Sequence, residues 1–307
     1  MRITQIILHQ EAEASLALLN VDAADLLNLS VTGACLQDII GIYDAYIERN
    51  GVPDRIIISV DPWLLNDSYV DSRFARSLGD SYYRYTSGKL GYGGQDKSLQ
   101  NVRPMYRTGE SGTLFDLNLA EIRELLSIPY FQSNLRFCFS DKTAASVFAT
   151  KEDFDVYGVL RSDGSYGYPF EYRYSDEAAL LERTNSQIAV ADGSRIVGFK
   201  GYDTCTGGNY QLFEDFLGEM KESGVEVNIL MTPLSPILWD FMEQNHPGCS
   251  MLKAGDAVSH ICADTGTLCY GSFDPHELGY GYHDFYDGYH LRAENIETMI
   301  AEMEDIR

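Results

Sequence analysis

The C-terminal part of the sequence holds its densest group of residues suited to acid–base or metal chemistry. His283, Asp284, Asp287 and His290 fall within the stretch HDFYDGYH. A carboxylate that orients an imidazole makes it a general base for a nearby nucleophile, and Asp287 with His290 could form such a pair. The four side chains could instead bind a metal ion, or belong to a polar loop that caps the last helix. The residues alone leave these three interpretations open.

Such residues need a scaffold, and the sequence predicts one of alternating strands and helices. Residues 55–60 (RIIISV) and 225–231 (VEVNILM) are rich in β-branched and apolar side chains, which is typical of buried parallel strands. Amphipathic helices are predicted from residue 36 to a stop at residues 50–51, over residues 209–222 and over residues 293–306. Strands separated by helices favour parallel pairing through right-handed crossovers.

Two segments do not follow this alternation. Residues 3–20 contain helix formers with an irregular apolar stripe, and we predict a helix there. A segment rich in Tyr, Ser and Gly begins near residue 67, and we predict an irregular insertion at about residues 67–200, either a surface excursion or a substrate-facing element. No linker or repeat is visible, so residues 1–307 are predicted to form a single α/β domain that carries this insertion.

The charge balance restricts the partners. The chain has 23 Lys and Arg against 46 Asp and Glu, a net charge of -23. Nucleic acid and anionic membrane surfaces attract basic proteins, so neither is predicted as a partner, and a neutral or cationic ligand is favoured. The six cysteines form no CxxC pair, so a zinc ribbon is not indicated. No apolar run is long enough to span a bilayer.

The HDFYDGYH stretch also resembles a known protein family. Asp287-Gly-Tyr-His290-Leu after Phe-Tyr is similar to the last conserved block of the SGNH (GDSL-like) hydrolase superfamily, where one loop supplies both the Asp and the His. Residues 28–34 (NLSVTGA) are similar to the second block of that superfamily. This resemblance implies that the backbone N–H of Gly33 helps to bind the oxyanion.

Two shorter segments appear in the same order as in this family. Residues 58–62 (ISVDP) stand where the third block follows a central strand, and residues 232–236 (TPLSP) resemble a phrase of SGNH-like cell-envelope proteins. The chain resembles the lipoteichoic-acid D-alanylation and alginate O-acetylation proteins more than small secreted lipases. The resemblance implies a three-layer α/β/α sandwich with a parallel, flavodoxin-like sheet, no cofactor, and an acylated carbohydrate or cell-envelope polymer as partner. It also implies an extracytoplasmic or membrane-anchored setting, with any anchor upstream.

The third block departs from the family pattern. The family usually places an Asn there as an oxyanion donor, whereas this sequence has Asp61. An ionised carboxylate accepts hydrogen bonds and would repel a developing oxyanion. We therefore expect either a structural role for Asp61 or a second donor supplied by Asn66 or by a backbone group.

The nucleophile is the larger departure. In the family, the serine lies in a Gly-x-Ser turn directly after the first strand. The early serines of this chain have other settings; they are Ser15, Ser30, Ser59 and Ser68. We therefore expect Met1 to be an internal methionine, with the first strand and the serine in upstream sequence, and the chain as given to be inactive.

The resulting hypothesis is an SGNH-like O-acyl esterase or acyltransferase. The serine would attack the acyl carbonyl, His290 would take its proton, and Asp287 would hold His290 in place. A non-catalytic SGNH-like module that binds glycan through its tyrosines is the alternative, because aromatic faces bind sugar rings. A metal-dependent hydrolase is a further alternative.

Overall fold

The computed structural model describes residues 5–8, 26–29, 34–67, 159–160, 166–193 and 202–306, and the statements below refer to these residues. The strands are β1 (Gln5–Leu8), β2 (Leu26–Asn28), β3 (Arg55–Val60), β4 (Val159–Leu160), β5 (Tyr166–Gly167), β6 (Glu226–Met231) and β7 (Leu268–Gly271). The helices are α1 (Leu36–Asn50), α2 (Phe170–Arg173), α3 (Glu177–Gly193), α4 (Gly208–Glu222), α5 (Pro236–Asn245), α6 (Ala254–Thr265), α7 (Pro275–Leu278) and α8 (Ala293–Asp305).

Five of the strands form one parallel sheet in the order β2-β1-β3-β6-β7. The predicted α/β class with a parallel sheet is therefore confirmed. Strand β3 pairs along its whole length with β6, and all six of its residues are buried, as expected for a run of β-branched side chains between two neighbours. None of the described helices is both long and apolar enough to cross a membrane.

Strand β1 corrects two predictions. The helix predicted over residues 3–20 is wrong for residues 5–8, which pair with both β2 and β3. The expectation that the first strand of the sheet is absent is also wrong, because β1 occupies an interior position. Pairing on both sides satisfies the backbone of this segment, and such tertiary contacts override the local helix propensity of the flanking residues.

Helices cover both faces of the sheet. Ile56 and Ile58 of β3 face a large core that includes apolar residues of α1, α4, α5 and α6, whereas Ile57 faces a second core with the buried face of α8. Successive side chains of a strand point to opposite faces, so the sheet that contains β3 lies between two layers of helices. The ends of α1 and α4 match the predicted stops, since Gly51 and Gly224 follow them with positive φ.

Part of the predicted insertion has regular structure. Within the segment from about residue 67 to residue 200, β4 and β5 form an antiparallel pair, and α2 and α3 follow. The prediction of an irregular segment is therefore wrong for the residues of α2 and α3. Most of the remaining insertion lies outside the described residues, and its extent stays a prediction.

The Asp67 side chain caps the N-terminus of α4. Asp67 accepts hydrogen bonds from the backbone N–H groups of Gly208 (2.9 Å) and Asn209 (2.7 Å). These N–H groups have no partner within the helix, and the positive end of the helix dipole favours a negative charge. The interaction ties the loop after β3 to α4, and the Asn209 side chain strengthens the link by donating to the carbonyl groups of Leu64 and Asn66.

Replacement of Gly207 by Ala should disrupt this cap. A Cβ at residue 207 would lie 2.0 Å from Asp67 Oδ2, so the carboxylate would have to leave the helix N-terminus. We expect Gly207→Ala to lower the free energy of unfolding by about 1–3 kcal/mol, measured by urea denaturation.

Gly218→Ala, in the middle of the same helix, is the matched control. A Cβ there meets no heavy atom within 4 Å, so this variant should gain up to about 1 kcal/mol from helix propensity. Equal stability of the two variants would contradict the role assigned to Gly207.

Candidate active site

The Asp287-Gly-Tyr-His290 segment forms a tight loop whose two ends are fixed in the core. Phe285 and Leu291 pair as an antiparallel bridge, and both side chains are buried in the core that contains α8. Inside the bridge, the Tyr286 N–H donates to the His290 carbonyl at 2.8 Å. The loop is therefore closed at its base, and Asp287 and His290 project from a fixed frame.

Asp287 and His290 are in direct contact. Asp287 Oδ2 lies 2.8 Å from His290 Nδ1, while Oδ1 accepts the backbone N–H groups of Tyr289 (2.8 Å) and His290 (3.0 Å). An ionised carboxylate can only accept hydrogen bonds, so Nδ1 carries the proton and Nε2 carries the lone pair of the neutral ring. This is the tautomer that a general base requires.

The Asp287 carboxylate stays ionised although it is buried. Its side chain is 1% exposed, against 27% for His290. Burial acts to raise the pKa of Asp287, but the electrostatic interaction and hydrogen bond with His290, the Tyr289 N–H and the Gln187 side chain together hold that pKa below its ordinary value. The dyad therefore has a buried, anionic inner member and a partly accessible imidazole.

Helix α3 supports this loop from the side. The Gln187 Oε1 accepts the Gly288 N–H at 2.7 Å, and the Arg183 guanidinium donates to the Tyr286 carbonyl at 3.0 Å. Sequence reasoning missed both residues, because α3 lies about a hundred positions upstream of the loop. Their spacing of four residues places them on one helix face. This spacing is the feature of the sequence that could have indicated that both residues contact the same loop.

Segments that follow β3 and β6 complete the surroundings. The Ser235 N–H donates to the Gly288 carbonyl at 3.0 Å, which links the TPLSP segment to the loop. Trp63, after β3, packs edge to face against Tyr289 with ring centroids 5.5 Å apart. Because parallel strands end at the same edge of a sheet, the segments that follow β3 and β6 lie at one edge. The contacts of Ser235 and Trp63 bring the dyad loop to that edge.

An aromatic wall lies beside the imidazole. The Tyr168 ring centroid is 5.0 Å from that of Tyr286, 5.4 Å from that of Tyr172 and 6.0 Å from that of His290. Tyr168 and Tyr286 are both buried. Burial also raises the pKa of Tyr289 to about 12, so that its hydroxyl stays neutral. The ring of His290 is therefore flanked by Tyr168 on one element and by Tyr289 of its own loop.

The sequence connects three residues with the predicted oxyanion site. Gly33 lies outside the described residues. The Asp61 carbonyl accepts the Leu64 N–H at 3.0 Å, and Asn66 is 2% exposed and accepts the Asn209 side-chain amide through its carbonyl. Both residues thus help to build the turn after β3, and their contribution to an oxyanion site stays a prediction.

Asp284 has a structural role that weakens the metal interpretation. Its Oδ2 accepts the Gly281 N–H at 2.8 Å and its Oδ1 accepts the Asn295 side-chain amide at 3.3 Å. Asp287 is committed to His290 and to backbone N–H groups, as described above. Within the described part of the chain, no group of three or more His, Cys, Asp or Glu side chains has a metal-binding arrangement.

Removal of the Asp287 carboxylate should change the pH dependence of stability. The pKa of Asp287 is lower in the folded chain than the ordinary value of about 3.9, so its stabilising effect is complete above that value and disappears as the pH falls through the folded pKa. We expect the difference in unfolding free energy between the wild type and Asp287→Ala to be largest near pH 7 and to shrink below about pH 4. Denaturation midpoints from pH 7 to pH 2 would test this, and a constant difference would contradict it.

No protein-family model and no curated protein matches this chain. The site is therefore defined by its geometry.

Proposed function

We propose that Asp287 and His290 are the acid–base pair of an O-acyl esterase or acyltransferase of the SGNH type, which acts on an acylated carbohydrate or cell-envelope polymer. The observation that carries the proposal is the contact of the buried Asp287 carboxylate with Nδ1 of the partly exposed His290. This arrangement leaves Nε2 as the proton acceptor for an attacking hydroxyl group. Asp287 would then stabilise the imidazolium that forms.

The sheet supports this proposal and an SGNH-like, flavodoxin-like fold. Numbered along the chain, the five parallel strands follow the order 2-1-3-4-5, which is that of flavodoxin-like sheets. In such sheets, ligands bind beyond the carboxyl ends of the strands, where the order reverses between the first and third strands. The contact of Trp63 with Tyr289 brings the dyad loop next to the segment after the third strand.

The proposed reaction also needs a nucleophile, which the Asp287–His290 dyad does not supply. The chain leaves β1 at the edge where the dyad loop lies, because β1 is parallel to β3. Ser15 is the only serine in residues 9–25, and these lie outside the described residues. Glu13, and not a glycine, stands two positions before it. Ser15 is nevertheless the first position at which a covalent adduct should be sought, because it is the only serine in the sequence between β1 and β2.

A non-catalytic glycan-binding module is the second candidate. His9, and not a serine, follows β1 directly. Phe170 and Tyr174 are 50% and 65% exposed, and their ring centroids lie 4.7 Å apart. Arg173 lies between them in the sequence, and its carbonyl accepts a hydrogen bond from the guanidinium of Arg292, which follows the site loop. Exposed aromatic faces suit the apolar face of a sugar ring.

Ester hydrolysis by point variants tests the first candidate. In wild-type protein that hydrolyses p-nitrophenyl acetate or an acetylated oligosaccharide, with upstream sequence added where residues 1–307 alone are inactive, we expect His290→Ala to lower kcat/KM by about 10²–10⁴-fold, because the general base is lost. Asp287→Asn should also lower it, since an amide in place of the carboxylate favours the wrong tautomer. A fluorophosphonate probe followed by mass spectrometry would identify the serine that carries the adduct.

His276→Ala is the matched control. His276 also contacts a carboxylate, with Nε2 at 2.8 Å from Asp240 Oδ1, but its side chain is 52% exposed on the surface. This variant should keep the wild-type kcat/KM. Equal rates for the wild type and His290→Ala would refute the acid–base role. Saturable oligosaccharide binding by a wild-type chain that neither hydrolyses nor transfers any acyl group would favour the second candidate.

A further inference from the structure

Gln187 of α3 contacts the peptide unit that joins the two halves of the site loop. Its Oε1 accepts the Gly288 N–H at 2.7 Å, and this N–H belongs to the peptide bond directly after Asp287. The position fits closely, because a Cβ added to Gly288 would lie 2.8 Å from Gln187 Oε1 and 3.4 Å from Thr184 Cγ2. The helix and the loop therefore pack so closely that a Cβ at residue 288 would clash with Gln187.

The other end of the same amide reaches the carboxylate. Hydrogen bonding by the Gln187 side chain is also one of the causes that lower the pKa of Asp287. Because Oε1 is occupied by Gly288 and an ionised carboxylate only accepts, the donor must be the Nε2 amino group of Gln187. One side chain thus holds the peptide unit after Asp287 and stabilises the ionised form of its carboxylate.

This double contact has a chemical consequence for the dyad. Asp287 sets the tautomer of His290 only while Oδ2 faces Nδ1, and rotation about the Asp287 side chain would turn that oxygen away. The two backbone N–H groups on Oδ1 oppose rotation from within the loop. Gln187 opposes it from a separate element, and groups that orient a partner residue in this way affect activity without touching the substrate.

We propose that Gln187 is a positioning residue that holds the Asp287 carboxylate toward Nδ1 of His290 and so maintains the Nδ1–H tautomer. The inference rests on the proposed acid–base function of the dyad. It requires an amide, since one group must accept from Gly288 and donate to Asp287. A carboxylate at residue 187 could accept but could not donate, and it would repel Asp287.

Two substitutions separate these contacts. Gln187→Glu keeps an acceptor for the Gly288 N–H and removes the donor to Asp287, whereas Gln187→Leu removes both. The ¹⁵N shifts of histidine-labelled protein report the tautomer directly, and His290→Ala assigns the signal. We expect the wild-type His290 ring to be the Nδ1–H tautomer and both variants to shift toward the Nε2–H form. In the ester assay, kcat should fall by about 10–100-fold with KM nearly unchanged.

Gln211→Glu is the matched control, because Gln211 also donates to carboxylates but lies on the surface of α4. It should change neither the tautomer nor kcat. Gly288→Ala, which displaces the Gln187 amide without altering residue 187, should reproduce the tautomer shift if a Gln187 variant fails to fold. A wild-type tautomer signal in folded Gln187→Glu would overturn the proposal. A tautomer shift in a chain without esterase activity would retain the positioning role and reject the proposed reaction.

Discussion

The structure around the site depends on keeping one buried carboxylate ionised. Removing the Asp287 charge from water is costly, and an unpaired charge at 1% exposure would neutralise itself or unfold its surroundings. The chain meets this cost with an imidazole, two backbone N–H groups and the Gln187 amide. Each of these partners must be held in place, and the elements that hold them account for much of the local architecture.

The parallel sheet is the base on which those elements meet. The Phe285–Leu291 bridge anchors the loop in the core between β3, β6 and α8, while α3 contacts the loop through Gln187 and Arg183. A second carboxylate, Asp67, solves a related problem by capping α4. In both cases backbone N–H groups stabilise a negative charge. The chain has only 23 Lys and Arg for 46 Asp and Glu, so most carboxylates need partners other than basic side chains.

The sequence allowed prediction of elements whose signal is local. The β-branched run of β3, the amphipathic stripes of α1, α4 and α8, and the Asp287–His290 pairing each depend on residues a few positions apart. Strand β1 was missed because its four residues adjoin strong helix formers, and only pairing with β2 and β3 makes them a strand. Gln187 was missed because its contact crosses about a hundred residues of chain.

The supporting residues also indicate how the insertion relates to the dyad. Helix α3 lies within the segment predicted as an insertion, yet it contributes Gln187 and Arg183 to the loop and Ile188 to the main core. Removal of this helix would expose the Gly288 N–H and the Tyr286 carbonyl as well as apolar surface. The dyad geometry and the folding of α3 are thus coupled, so the inserted helix is an integral part of the candidate site.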